Sequence, residues 1–569
     1  MYGKCVYMPL LYLHIVFNRY QYCLCNMNER GIMRRIIWLV VGLCVVFSIS
    51  SVLPVQITNA VSRTAKAIAV GYEHVCAILD DNSVKCWGVN SYGVLGYDDT
   101  DGRGLGPGSM ATLGTVNLGT GHTAKAIAAG LQHTCVILDD NKVKCWGLGF
   151  GLGYDDLTDR GGTPGSMATL GTVNLGTGRT AKAITAGVFH TCAILDNDTV
   201  KCWGDNEFGQ LGYDDTTNRG TTAGSMAALR AVNLGTGRTA KAITAGQYHT
   251  CVILDNNKVK CWGLNDNDFL GHGRGRLGYD DTTNRGATAG SMAALGTVNL
   301  GTGRTAKAIS AGESHTCAIL DNDMVKCWGD NDDGQLGYDD HMPRGDGGAG
   351  YGMATLSTVN LGAGHTAKAI SAGAWYGHAT CVILDDNSVK CWGNNLSGQL
   401  GYDDLTNRGG TAGSMAALGV VNLGAGHTAK AIDLSLYWTC AILDDNSVKC
   451  WGGEYNAIPG YEGAHGRGGH PGDMAALGTI NLSGVALPGT ATATETNTLT
   501  KTNTPTKTNT LTKTNTITKT ATLTKTNTRT ATNTRTATST RTATSTRTAT
   551  NTRTATRTAT NTRTATPTP

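Results

Sequence analysis

The chain is poor in the residues that build helical and membrane architectures. Charged residues make up 16% of its 569 positions, against roughly 25% in an average domain. That scarcity excludes a coiled coil or a helical bundle, whose outer faces need abundant lysine and glutamate. Pro numbers 11 beside 77 Gly, so the chain is turn-rich without being collagen-like. No second apolar run of spanning length follows residue 55, which excludes a multi-span membrane protein. Catalytic signatures are missing as well: there is no Gly-x-Ser-x-Gly elbow, no Walker loop and no His-Glu-x-x-His. What the chain does have is 18 Cys and 10 Trp, far more than idle thiols or chance aromatics require.

The formal charge of +4 averages three unlike parts. Residues 1–60 carry a net +4, residues 61–489 a net −11 and residues 490–569 a net +11 from 12 Lys/Arg and one Glu. In the first part, Arg30, Arg34 and Arg35 precede an uncharged run from Ile36 to Val55. This reads as a signal peptide with a small residue at Ala60 for cleavage, or as an N-terminal membrane anchor. Both place the rest of the chain outside the cell, because the arginines stay behind. Met27 and Met33 are alternative starts. Cys44 follows the bulky Leu43 and does not suit lipid attachment. In the last part every even-numbered residue from Thr490 to Thr568 is Thr, 40 in all, with almost no apolar partner face. A disordered, low-complexity stalk is expected there. Its threonines suit O-glycosylation outside a cell, and its spaced Lys/Arg suit contact with anionic wall polymer or membrane. Nucleic acid is disfavoured because no stacking aromatics accompany the charge.

The middle is one unit repeated seven times. Cys-Ala-Ile-Leu-Asp-Asp-Asn-Ser-Val-Lys-Cys-Trp-Gly at 76–88 returns with its first Cys at 135, 192, 251, 317, 381 and 440. Two short apolar runs around an Asp/Asn turn signal a hairpin. Cys-Ala-Ile-Leu does not alternate, so both faces of that strand should be buried. Thr-Ala-Lys-Ala-Ile and Thr-Val-Asn-Leu supply two more short runs per period, which predicts four-stranded propeller blades. The repeats open with Thr-Ala-Lys-Ala-Ile at 64–68 and end with a Thr-Val-Asn-Leu-type run at 479–482. The expected fold class is therefore all-β: a seven-bladed propeller in which the last run completes blade one and closes the ring.

The segment His-Thr-Cys-Ala-Ile-Leu…Val-Lys-Cys-Trp-Gly-Asp-Asn…Gly-Gln-Leu-Gly at 190–212 resembles the regulator of chromosome condensation repeat. The resemblance covers about 61–489 and lies nearest to secreted bacterial members with paired Cys. It implies a seven-bladed propeller used for protein binding. Blade seven departs from the pattern, with Trp438 in place of His and Ser435 in place of Gly. Blade six carries an insertion around Trp375 and Tyr376.

A three-residue loop at Asp80-Asp81-Asn82 sets Cys76 opposite Cys86, within disulfide reach. The same spacing pairs Cys135 with Cys145, Cys192 with Cys202, Cys251 with Cys261, Cys317 with Cys327, Cys381 with Cys391 and Cys440 with Cys450. Reduced core thiols and a zinc site sharing a nearby His are the alternatives.

Six histidines recur beside the first Cys: His74, His133, His190, His249, His315 and His378. Spread around a ring, they fit blade-to-blade hydrogen bonds better than one metal centre. Acidic pairs such as Asp98-Asp99 are each followed by an Arg (Arg103 here), and blade seven keeps the spacing with Glu462 and Arg467. An acid–Arg clasp on a long loop explains them without calcium. Asp330-Asn331-Asp332-Asp333-Gly334 looks like a calcium loop but lacks its remaining ligands. Few residues are unique: Phe269, His272, Arg274, Arg276, His341, Trp375, Tyr376 and Trp438. Trp375, Tyr376 and Trp438 are the candidate partner-binding anchors. No unique polar cluster is visible, which opposes a hydrolase or lyase.

These readings combine into three parts. Residues 1–60 are a signal or anchor, 61–489 the propeller and 490–569 a Thr-rich basic tail. The expected function is that of an exported, monomeric, non-catalytic scaffold, without cofactor or metal, that binds a protein or surface glycan. The alternatives are a guanine-nucleotide-exchange or chromatin-type regulator and a propeller hydrolase or lyase.

Overall fold

Each repeat begins its structure at the hairpin. In the computed structural model Cys76 lies opposite Cys86 and Ile78 opposite Val84. The turn is closed by Leu79 N–H to Ser83 O at 2.8 Å, with Asn82 at φ 65°. Asn or Asp holds this left-handed position in all seven hairpins, from φ 62° to 68°. Those two residue types tolerate it because their short side chains bond locally.

The structure describes residues 63–483 apart from 107–108, 111, 267–273, 349, 374–377, 454–459 and 462–465. The expectations for the N-terminal segment, the tail, Phe269, His272, Trp375, Tyr376 and Glu462 fall outside the described residues. Among the described residues no helix is long and apolar enough to cross a membrane.

Seven antiparallel sheets follow one another, each of three strands in chain order. Blade one is β1 (Ala65–Val70), β2 (His74–Leu79) and β3 (Val84–Gly88). Blades two to seven repeat it, opening at Ala124, Ala181, Ala240, Ala306, Ala367 and Ala429. The second and third strands of every blade are buried at every residue, so their sequences need not alternate. A bulge in the first strand turns Lys66 outward to bond Asn82 at 2.8 Å. First strands of successive blades pack side by side, which makes them the inner row of a propeller. The seven tryptophans after the second cysteines are fully buried between sheets. Each cysteine pair is a disulfide, with Cα atoms 4.0–4.1 Å apart.

Two sequence expectations are corrected. The blades have three strands, not four. The Thr-Val-Asn-Leu run makes one backbone bond to the third strand, Val116 N–H to Val84 O at 2.8 Å, and no ladder. A tyrosine splices into the gap instead. Tyr97 Oη accepts from Cys86 N–H at 3.1 Å and donates to Gly114 O at 3.1 Å. Every third strand has this tyrosine at its second cysteine.

The phase of the runs differs too. Blade one does not lack its run, because Thr115–Leu118 follows it in the chain. The last run bonds blade seven, Ile480 N–H to Val448 O at 2.8 Å, and meets blade one through Lys85 Nζ to Leu482 O at 2.9 Å. Every run is bridged in the same way, by its backbone to its own blade and by a buried lysine to the next.

Gly after each Trp is dictated by space. Gly204 sits at φ 103°, and a Cβ there would lie 2.1 Å from Phe189 O. The tyrosine splice is equally specific. Tyr213→Phe should leave Cys202 N–H buried without a partner and cost about 1–3 kcal/mol in urea unfolding, with the far-ultraviolet circular dichroism unchanged.

Candidate functional site

Most recurring polar side chains are spent on holding one blade to the next. At the first joint, Val94 O of blade one accepts two bonds from blade two, Thr134 Oγ1 at 3.0 Å and Trp146 Nε1 at 2.8 Å. His74 Nε2 of blade one meets the same Thr134 Oγ1 at 2.9 Å. The threonine has already given its one proton to the carbonyl, so the histidine donates and carries its proton on Nε2. Five joints have this histidine, with Nε2–Oγ1 distances of 2.9–3.1 Å. The recurring histidines thus serve blade contacts. Burial first, then neighbouring charged groups, pushes His74, His190 and His315 down to about 3, and burial pushes His133 down to about 4.

The last two joints differ. Trp438 stands where blade seven should have its histidine. It is 2% exposed and lies in one apolar cluster with Val75, which replaces the bracket threonine in blade one. Trp438 is therefore a core residue, not an exposed anchor. His378 is also corrected: it lies three residues before its Cys, not two. Ala379 takes the strand position opposite Gly393, and His378 makes a different set of contacts.

Those contacts form a polar cluster that the sequence did not reveal. His378 Nδ1 is 2.9 Å from Asp333 Oδ2 and 4.0 Å from Asp330 Oδ2, and Nε2 is 3.1 Å from Glu313 Oε2. Asn394 and Asn407 hold Asp333 at 3.1 and 2.9 Å, and Gln335 holds Asp330 at 2.7 Å. Glu313 is fully buried, and Arg276, also fully buried, reaches its backbone oxygen at 3.4 Å. Burial alone would lower the imidazole of His378. The hydrogen bond to Asp333, the close approach of Glu313 and the charges of Glu313 and Asp330 outweigh it, raising it to about 10. Residues 313, 330, 333 and 378 come from two blades, so spacing could not link them. The one-residue slip of His378 was the available signal.

The acidic loops are clasped, by the second acid of each pair. Arg160 grips Asp156 at 2.8 Å, and its side-chain hydrogen bonds hold Asp156 down at about 2. Five further loops do the same at 2.5–2.7 Å. The first acid has another task. Asp98 Oδ1 accepts Met167 N–H at 2.7 Å and Ser166 Oγ at 2.9 Å, capping a one-turn helix in the next repeat.

Three exposed groups set a histidine beside two acids: His122 with Asp139 and Asp140, His365 with Asp385 and Asp386, His427 with Asp444 and Asp445. Arg179, Arg238 and Arg304 make the corresponding ion pair in blades three to five at 2.8–2.9 Å.

Several partly exposed side chains are aromatic and meet in pairs. Phe150 packs edge-on to Phe189 at 6.0 Å, Phe208 to Tyr248 at 5.0 Å, and Tyr72 tilts against Tyr437 at 6.1 Å. Each pair spans a blade joint, and each includes a residue from a turn between first and second strands. His341, one of the unique residues, is exposed and bonds Asp332 O at 2.8 Å.

Six segments, 65–94, 124–150, 181–210, 240–268, 306–335 and 367–399, match the Regulator of chromosome condensation (RCC1) repeat. The six segments are similar to RCC1 repeats. The matched segments run from the inner strand through the hairpin and Trp-Gly into the loop whose carbonyl, the latch of the blade joint, accepts the next blade's threonine and tryptophan. The chain is 25% identical to the ultraviolet-B receptor UVR8 of Arabidopsis thaliana over 391 residues, covering 62% of this chain and 81% of that protein. It is 28% identical to the E3 ubiquitin-protein ligase HERC2 of Homo sapiens over 275 residues, 48% of this chain but 5% of that one. Among solved structures, yeast RCC1 (Prp20), crystallised with Kap60, shares the fold at a TM-score of 0.51 and 16% identity, covering 70% of this chain and 82% of that one. The seventh RCC1-type blade, beyond the matched segments, keeps the disulfide and the Trp–carbonyl bond of Trp451 to Gln399 at 2.9 Å.

Inner strands of these repeats carry a second chain of bonds. Ser371 Oγ donates to Asp433 Oδ1 at 3.0 Å, and Asp433 Oδ2 accepts Val70 N–H at 2.8 Å. Thr185, Thr244 and Ser310 hold the matching place in blades three to five. Burial pushes the Asp433 carboxyl up to about 6.

Two pH effects of opposite sign follow. The latch histidines are depressed, so the unfolded chain protonates first, and stability present above pH 6.5 is lost as pH falls toward 3–4. Thermal unfolding between pH 7 and 5 should show a loss of about 1–2 kcal/mol per latch histidine. Asp433 is raised, so its contribution is full below about pH 4 and is lost as pH rises through 6. Asp433→Asn should gain roughly 1–2 kcal/mol at pH 8, discounted because the residue keeps part of its surface in water, and nothing at pH 4.

Proposed function

We propose that this chain is an exported, non-catalytic propeller that binds a protein or a surface glycan through the face bearing its aromatic turns. The observation that carries the reading is the division of labour among its side chains. Histidine, threonine, tryptophan, tyrosine, lysine and the acid–Arg pairs are committed to blade contacts and loop closure. The aromatic pairs around Phe189, Tyr248 and Tyr437 are the half-exposed groups of the kind that anchor partners. Seven disulfides support an oxidising compartment.

The ring is proposed to close without a shared strand. Support comes from Ala65 N–H to Asn446 O at 2.9 Å, from the Lys85–Leu482 bond, and from Asp433 reaching Val70. The cluster around His378 does not move the reading toward a hydrolase, because Glu313 and His378 are buried beyond the reach of a polymer substrate. The chain acts as a monomeric scaffold. Its basic tail is proposed to reach anionic wall or membrane surface. A guanine-nucleotide-exchange or chromatin role stays the alternative, since relatives at 25–28% identity carry only the repeat into this chain.

The test is a thiol count on denatured, unreduced protein from its host, with peptide mapping. All fourteen repeat cysteines should resist alkylation and map as seven local pairs, on protein recovered outside the cytoplasm. Fourteen reactive thiols on an intracellular protein would overturn export and hand the chain to the exchange-factor reading.

A further inference from the structure

The joint of blades five and six holds a buried carboxyl group whose one charged side-chain neighbour among the described residues is an imidazole. Glu313 is fully buried, and neither of its carboxylate oxygens accepts a hydrogen bond. The adjacent Ser314 hydroxyl is likewise buried without a hydrogen-bond partner. Native interiors rarely leave such groups unpaired, and an ion is one reason that they do. His378 Nε2 lies 3.1 Å from Glu313 Oε2. Two donors each about 2.0–2.1 Å from one metal ion stand about 3 Å apart, so this is the separation of neighbouring ligands.

The other face of the imidazole is prepared as well. Asp333 Oδ2 takes Nδ1–H at 2.9 Å, and Asn394 and Asn407 fix Asp333 in turn. A carboxylate on the far nitrogen is what orients a ligating histidine and raises its basicity. Three carboxyl groups, Glu313, Asp330 and Asp333, lie within 4.0 Å of one imidazole, and their surplus of acid favours a cation.

We propose that Glu313 and His378 are ligands of a divalent transition-metal ion of the zinc class, with Asp333 as the positioning residue. A carboxylate with an imidazole suits that class better than calcium, which takes oxygen donors only. Water completes the coordination. Without metal the imidazolium itself fills the place, and an entering ion displaces the Nε2 proton to solvent. No other blade has this pair, because none has both the glutamate in the turn and the histidine one residue out of step.

The exposed His–Asp groups must be removed before testing. His122→Arg, His365→Arg and His427→Arg install the residue that blades three to five already carry there. In that full-length, oxidised background, zinc calorimetry and cobalt absorption should report one ion per chain. Glu313→Gln or His378→Gln should weaken it at least about tenfold, and Asp333→Asn by roughly tenfold. No saturable binding up to millimolar zinc, or undiminished binding in both ligand variants, overturns the proposal. Should those variants lose their folded dichroism, zinc-edge anomalous diffraction from the unaltered chain decides. A peak between His378 Nε2 and Glu313 upholds the site, and no peak there overturns it.

Discussion

One backbone carbonyl in each of six blades carries the architecture. It sits in the loop after the third strand and accepts both a threonine hydroxyl and a tryptophan indole from the following blade. Two donors on one oxygen use both lone pairs and leave nothing for water, which suits a joint buried on all sides. The histidine behind the threonine fixes the direction of that hydroxyl. A glycine two residues past that carbonyl, Gly96 at φ 74° in blade one, leaves room for the Trp146 indole of the next blade, and the buried tryptophan fills what remains. Tyrosine splices, lysine bridges and capped helices are arranged around these joints and presuppose them.

The parts of this design that repeat were legible in the sequence. A ten-residue Cys spacing around Asp-Asp-Asn fixes a register, and the structure has Cys76 opposite Cys86. The unalternating Cys-Ala-Ile-Leu run signalled burial on both faces, and the strand is buried throughout. The fourth strand was misread because Thr-Val-Asn-Leu has strand composition. What denies it a ladder is a hydroxyl on Tyr97, eleven residues from the backbone it bonds. Trp438 was misread for a related reason. A lone aromatic replacing a polar residue looks exposed until its neighbour, Val75, is seen to have lost its hydroxyl too. The cluster of Glu313, Asp330, Asp333 and His378 was out of reach of any spacing rule. Its members are joined only by the stacking of one blade on another.

Repetition also shapes how function can be read. Residues present in every blade answer to the blade joint, so they carry no information about a partner. Departures do. Aromatic turns gather on one face, and the polar cluster interrupts an otherwise uniform series of joints. The fold shared with yeast RCC1 is a platform. What distinguishes this chain is the small set of positions where one blade ceases to copy another.

Each disulfide closes within its own hairpin, and none ties one blade to another. A repeat is therefore a covalent unit complete in itself. It can be duplicated or deleted whole without leaving an orphaned cysteine, and it can oxidise as soon as its own hairpin has formed, before any neighbour has arrived. Near-literal copies in a single chain usually invite mispairing among many equivalent thiols. Here the partner is always ten residues away, so the multiplicity of cysteines adds no ambiguity to the order in which they find one another.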